Sequence, residues 1–266
     1  MGLFQRARMA TPRIIGVIHV RPLPGSAGWD GDLERLCLEA IAEARLYRQV
    51  GIDAIVVENM HDVPYLRGRV EPETTAAMAV VARAVKEVVG PLPVGVQLLA
   101  GANREALGVA VAAGLDFLRV EGFAYAHVAD EGLIQASAAE LIRARAALRA
   151  TSIEVLADIK KKHASHALTA DLSIVDVAEG TEFCRADGLI VTGLATGKAP
   201  MPATVDEVRT HTRVPVLVGS GVTPDNASSF SQADGLIVGS FFKRDGGWEN
   251  PVDGDRVRTF LRAMGR

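Results

Sequence analysis

The segments PVLVGSG (Pro215–Gly221) and GLIVGS (Gly235–Ser240) decide the fold of this 266-residue chain. Each is a short β-branched run that ends in Gly and Ser. Between them Thr223-Pro224 reads as an N-cap followed by proline at the first helical position, opening a helix over Pro224–Phe230. A strand ending in small residues, a short helix and a second such strand is the arrangement a (β/α)₈ barrel uses at its seventh and eighth strands. There, backbone N–H groups and a helix N-terminus bind a phosphate. A side chain would keep the anion from the amides, so Gly219, Ser220, Gly221, Gly239 and Ser240 are the predicted phosphate contacts.

Outward from this pair, the same alternation runs through the whole chain. Strands are predicted at Ile14–His19, Ala54–Glu58, Val94–Leu99, Phe117–Glu121, Glu154–Asp158, Gly188–Thr192, Val216–Gly219 and Leu236–Gly239. Helical patterns fall at Leu33–Val50, Thr74–Val89, Arg104–Ala113, Ala138–Ala150, Ala170–Arg185, Thr204–Thr210, Pro224–Phe230 and Gly254–Met264. Ser137 and Glu140 have the spacing of a capping box. Gly51, Gly90 and Gly114 stand where left-handed C-caps belong. Eight strands alternating with helices specify a parallel sheet closed as a barrel. The rival is an open doubly wound sheet, but no GxGxxG follows the first strand; HVRPLPG does, and its two prolines suit a rigid loop.

Length and composition agree with one domain. A single barrel takes about 250 residues, and no Pro/Gly/Ser-rich stretch or charge run divides the chain. Residues 1–13 read as a flexible segment and 14–266 as the barrel. With 48% hydrophobic residues the core is ample, and a net charge of −3 gives no nucleic-acid surface. The two cysteines, Cys37 and Cys184, lack CxxC spacing and read as buried free thiols of a reducing compartment. No apolar run reaches the length of a membrane span. The N-terminal residues lack the apolar core of a secretory signal, so the expected location is cytoplasmic.

Barrel chemistry sits at the C-terminal ends of the strands, so those positions can be read in order. They are His19, then Glu58, Asn59 and Asp62. Gln97 and Asn103 come next, then Arg119 and Glu121. Asp158, Lys160, Lys162 and His163 follow, and Thr192 leads into GLATGK. Few structural reasons place so many polar groups at one end of an aliphatic barrel. Strict alternation turns Asp158, Lys160 and Lys162 into the mouth and Lys161 toward the helical layer or rim. A lysine there can hold an anion, form a Schiff base if burial lowers its pKa, or close the barrel end in a Lys–Asp ion pair. Arg119 and Glu121 could pair with each other; if not, Glu121 is a candidate base. The candidates for proton transfer are Asp158, Glu58, His19 and Glu121, with Lys160 and Lys162 stabilising negative charge. Asn59, Asp62, Asn103, Arg119, His163 and Thr192 are candidate substrate contacts. No cofactor is required by this reading. A divalent metal would need His19, Glu58, Asp62 and His163, without HxH or HExxH spacing.

In sequence these segments resemble the BtpA/SgcQ family of TIM-barrel proteins. The resemblance is carried by GVIHVRPLPGS (16–26), VVENMHDVPY (56–65), VGVQLLAGAN (94–103) and RVEGF (119–123). It continues through ADIKKKHASH (157–166), VTGLATGKAP (191–200), VLVGSGVTPDN (216–226) and IVGSFFKRDGGWENPVD (237–253). Lys161 departs from the apolar residue expected between two inward lysines. The family takes its name from a cyanobacterial protein implicated in photosystem I biogenesis, and relatives occur in organisms without photosynthesis. GSGVTPDN also looks like the phosphate motif of barrel enzymes such as phosphoribosylanthranilate isomerase. Two readings follow. One is an enzyme using acid/base chemistry on a sugar phosphate or nucleotide-like ligand, by isomerisation, epimerisation, lysis or glycosidic cleavage. The alternative is a non-catalytic stabilising factor for a membrane complex such as photosystem I, with peripheral membrane association. Barrels of this size are often homo-oligomers, for which Phe241-Phe242 or Trp248 is a candidate interface; Trp248 could equally cover the barrel end.

Overall fold

The computed structural model describes Leu3, residues 11–193 and residues 198–266. Eight parallel strands close on themselves: β1 Arg13–His19, β2 Ala54–Glu58, β3 Val94–Gln97, β4 Phe117–Val120, β5 Glu154–Ile159, β6 Gly188–Val191, β7 Val216–Val218 and β8 Gly235–Val238. Each pairs with the next in sequence, and β8 returns to β1 with Arg13 opposite Gly235 and Gly16 opposite Val238. Closure removes the open-sheet alternative. Around the strands lie α1 Leu33–Val50, α2 Pro72–Val89, α3 Asn103–Ala113, α4 Ala138–Ala147, α5 Ile174–Phe183, α6 Pro202–His211 and α7 Gly254–Ala263.

Alternation along the strands builds two cores. Ile15, Val17, Ala54, Val56, Phe117, Leu156, Ile190, Leu217 and Ile237 fill the lumen, while the opposite faces pack beneath the helices. Gly95 makes room there, because a Cβ on it would lie 2.3 Å from the Phe117 ring. The same parity, carried one step up each strand, places His19, Glu58, Gln97, Arg119, Asp158, Thr192, Gly219 and Gly239 on the lumen face at the C-terminal end. The polar layer is therefore a direct product of strand register.

At the opposite end a single device recurs four times. Asp53, Asp116, Asp187 and Asp234 each precede an even-numbered strand. Each accepts the backbone N–H of the preceding odd strand: Ile14 (2.7 Å), Val94 (2.8 Å), Val155 (2.8 Å) and Val216 (2.9 Å). Each also pairs with a cation, Arg266, Lys86, Arg145 and Arg209 respectively.

The structure departs from the sequence reading in several places. Only one 3₁₀ turn, Ala227–Phe230, forms where a helix over 224–230 was expected. The Asn226 side chain accepts from Thr223 N and donates to Gly221 O, both at 2.9 Å, folding the segment back before helix can propagate. The α-helix expected to present its N-terminus to the predicted anion site from Pro224 is therefore replaced by that turn. Ser137 does not cap α4; its hydroxyl donates to Gly122 O and accepts from Asn103 Nδ2. A capping box is found instead at Ser173 and Asp176, opening α5. A small antiparallel sheet, unforeseen in the sequence reading, pairs His127–Ala129 with Gly132–Ile134 across the two-residue turn Asp130-Glu131, and adds Ala164–Ser165. Phe242 is buried inside the chain against Tyr47 and Phe260, which removes it as an interface residue. Cys37 and Cys184 are free and only half-buried. The segment predicted to be flexible falls largely outside the described residues, as does most of GLATGK. Among the described residues no helix is long and apolar enough to cross a membrane.

Candidate active site

Arg119 organises the mouth. Burial leaves only 8% of its side chain exposed, and it meets two equally buried carboxylates. Nε and Nη2 donate to Asp158 at 3.0 and 3.1 Å, and Nη1 donates to Glu58 at 3.0 Å. These carboxylates raise its pKa against the opposing effect of burial, so the guanidinium is permanently charged. The expectation of an Arg119–Glu121 pair is thereby overturned. Asp158 and Glu58, predicted to move protons, are engaged in fixing Arg119.

The three lysines correct the alternation argument. β5 ends at Ile159, and Lys160 takes a left-handed conformation with φ of 43°. That turn reverses the expected facing. Lys160 points away from the mouth and donates to Leu172 O at 2.8 Å. Lys161, expected at the rim, is in the mouth instead. Its ammonium lies 3.0 Å from Glu121 and 3.9 Å from Glu131, with a tenth of the side chain exposed. Burial holds the Glu121 carboxyl above its ordinary range, with Lys161 pulling it back. Lys162 does line the mouth, where burial and then Arg119 lower its pKa.

His19 stands on the other side of this layer. Its Nδ1 lies 2.7 Å from Trp248 O, a carbonyl that can only accept, so Nδ1 carries the proton. Burial and then Lys243 hold the imidazole well below its usual pKa, so it is neutral at pH 7. Its Nε2 is left as a proton acceptor near Gly239. Trp248 packs edge-on to His19 and 5.1 Å from His61, and so covers the barrel end.

Two cavities meet at Glu58, Arg119, Lys162, Met60 and Trp248. The first, about 260 Å³, is walled by His19 and by backbone at Gly219–Gly221 and Gly239-Ser240. The second, about 390 Å³, lies over β3 to β6 and includes Gln97, Glu121, Lys161, His163 and Thr192. Ser220 is less free than its sequence suggests. Its hydroxyl accepts from Gly193 N and donates to Lys198 O, both at 3.0 Å, and so joins these two residues.

Three predicted substrate contacts are internal struts. Asn59 accepts from Leu99 N at 2.7 Å and donates to Asp62 at 2.9 Å. Asp62 in turn accepts from Leu23 N, and burial raises its carboxyl pKa. Asn103 donates to Glu121 O and to Ser137. None of the three lines either cavity. Among the described residues no group of three or more His, Cys, Asp or Glu is arranged to hold a metal. The sequence reading missed Lys161, Glu131, Tyr65 and Arg256; the Asp130-Glu131 hairpin turn before Gly132 was the available signal for Glu131.

The fold and the polar mouth define a (β/α)₈ barrel protein. Its family is equally clear: the model of the BtpA family matches residues 10–266, and the chain belongs to that family. A Caenorhabditis elegans protein described as mitochondrial is 44% identical over 94% of this chain and 92% of its own. The photosystem I biogenesis protein BtpA of Synechocystis is 36% identical over 99% of this chain and 91% of its own. Among solved structures, the thiamine phosphate pyrophosphorylase of Pyrococcus furiosus superposes with a TM-score of 0.58 at 14% identity, covering 96% of each chain. The orotidine 5'-phosphate decarboxylase of Pyrococcus horikoshii also gives 0.58 at 14% identity, covering 95% of this chain and 99% of its own. At that identity these two share the fold.

Proposed function

We propose that this chain is an enzyme that binds a phosphorylated small molecule and moves a proton beside an anionic centre. The observation that carries this reading is the first cavity. One space joins the residues at the ends of β7 and β8 to Arg119, held by its two carboxylates, to Lys162 and to His19. The amides of Gly219–Gly221, Gly239 and Ser240 would take the phosphate. Lys162 and Arg119 would stabilise a developing oxyanion in a site of low dielectric. His19 Nε2 would accept and return the proton, and Glu58 and Asp158 would hold Arg119 in place. Isomerisation, epimerisation, lysis and glycosidic cleavage all use these parts. The two solved barrels named above bear phosphate compounds in their names, which agrees with this assignment of the first cavity.

Thermal stabilisation by sugar phosphates, nucleotides and inorganic phosphate, with and without magnesium, tests the reading. Ser240→Asp is the chosen variant, because Ser220 is committed to Gly193 and Lys198 and its replacement would confuse binding with folding. A shift seen in the wild type and lost in Ser240→Asp supports the anion site; an equal shift in both removes it. The name of the Synechocystis relative favours one other role, a stabilising factor for a membrane complex. No shift across the panel, together with capture of such a complex from a cytoplasmic or membrane fraction, would support that role instead.

A further inference from the structure

The second cavity differs from the first in what it lacks. Beside the Glu58–Arg119–Asp158 bridge it brings Glu121, Asp130 and Glu131 against Lys161, Lys162 and His163, whose pKa burial and then Lys162 lower. The side chains of Glu121 and Glu131 are 6% and 5% exposed, yet Oε1 of the first and Oε2 of the second have no hydrogen-bond partner. Thr192 Oγ1, on the same wall, is likewise buried and unpartnered. Buried acceptors without donors are costly, and a site that carries them is completed by a ligand that supplies N–H or O–H groups. The excess of carboxylates repels a second anion. Val63, Tyr65 and Leu99 give the same space an apolar wall suited to the face of a ring.

We infer that the substrate has two unlike ends: a phosphate for the first cavity, and an uncharged, hydroxyl- or amino-bearing ring for the second. This rests on the phosphate reading above and narrows it. A bisphosphate or a phosphorylated dicarboxylate is excluded as substrate, whereas a hexose monophosphate or a nucleoside monophosphate has the required ends. The reacting bond would lie between the two cavities, at Arg119 and Lys162, where both spaces meet.

Calorimetric titration of the full chain with inorganic phosphate, glucose 6-phosphate, adenosine 5'-monophosphate and fructose 1,6-bisphosphate tests this. At least one monoester should bind about tenfold more tightly than phosphate, and the bisphosphate should gain nothing over phosphate. Glu131→Lys should weaken that monoester about tenfold, leave phosphate unchanged, and let the bisphosphate gain affinity. Glu131→Gln, which keeps size and removes charge, should move the bisphosphate in the same direction and guards against misfolding of the first variant. Which monoester gains distinguishes a sugar ring from a base. The inference is overturned if the bisphosphate equals the best monoester in the wild type, if neither monoester exceeds phosphate, or if the Glu131 variants shift all ligands in step. Failure of every ligand, phosphate included, overturns the anion site itself and this inference with it; phosphate binding without discrimination overturns this inference alone.

Discussion

Replacing Lys161 with methionine separates the observed mouth from the one that strand alternation alone would build. In the structure Lys161 is nearly enclosed and neutralises Glu121 at 3.0 Å. Removing one partner of a buried ion pair leaves an uncompensated charge and costs about 3–5 kcal/mol. For a chain of this size each kcal/mol lowers the melting temperature by about 2–4 °C, so the loss is on the order of 10 °C. The pH dependence has a definite sign. Glu121 already has a folded-state pKa raised by burial, and loss of Lys161 raises it further. A carboxyl with a raised pKa takes up a proton on folding. Its contribution is complete below the unfolded value of about 4.3 and is lost as pH rises through the folded one. The Lys161→Met deficit should therefore be largest near pH 8 and shrink toward pH 5. Adding Glu121→Gln should restore most of the stability and flatten the profile. Melting curves of the four proteins of this cycle across that range provide the assay. A deficit under about 1 kcal/mol, constant with pH, is what an exposed rim lysine would give and would refute the reasoning.

Three further outcomes are expected. Lys160→Gly loses the hydrogen bond to Leu172 O, worth about 1 kcal/mol, but relieves a left-handed backbone of similar cost, so the melting temperature and ligand binding should barely change; a loss of binding would restore Lys160 to the mouth. Asp234→Ala removes the acceptor of Val216 N and the partner of Arg209, and urea unfolding should show a loss of about 2–4 kcal/mol with ligand shifts preserved. Gly95→Ala drives a methyl into the Phe117 ring, and overpacking of the lumen should cost about 1–3 kcal/mol by the same measurement. An unchanged midpoint would show that the lumen can yield.

The barrel was legible because each strand is a short, largely apolar run set between helical patterns, and a parallel sheet buried on both faces leaves that signature eight times. The polar layer was legible for the same reason: parity fixes which residue stands above the lumen. Legibility failed where one residue left the regular path. A single left-handed Lys160 exchanged the facings of Lys160 and Lys161, and nothing in KKK distinguishes them beforehand. Asn59, Asp62 and Asn103 carried the right chemistry at strand ends, yet backbone groups of neighbouring loops claimed them, which depends on loop paths that residue type does not encode. Thr223-Pro224 had the composition of a helix start, and the Asn226 side chain, three residues on, ended it within a turn.

The four aspartates tie β1 to β2, β3 to β4, β5 to β6 and β7 to β8, and so divide the cylinder into four staves with a joint between each pair. Every joint is crossed at the other end by a side chain from the C-terminal end of a strand. Asn59 reaches Leu99 between β2 and β3, and Arg119 grips Asp158 between β4 and β5. Ser220 holds Gly193 between β6 and β7, and His19 meets Trp248 between β8 and β1. The hoop that keeps the staves together is thus made partly of the groups that would handle substrate. Arg119 has two duties, closing the seam between β4 and β5 above their backbone ladder and lining the space open to a ligand.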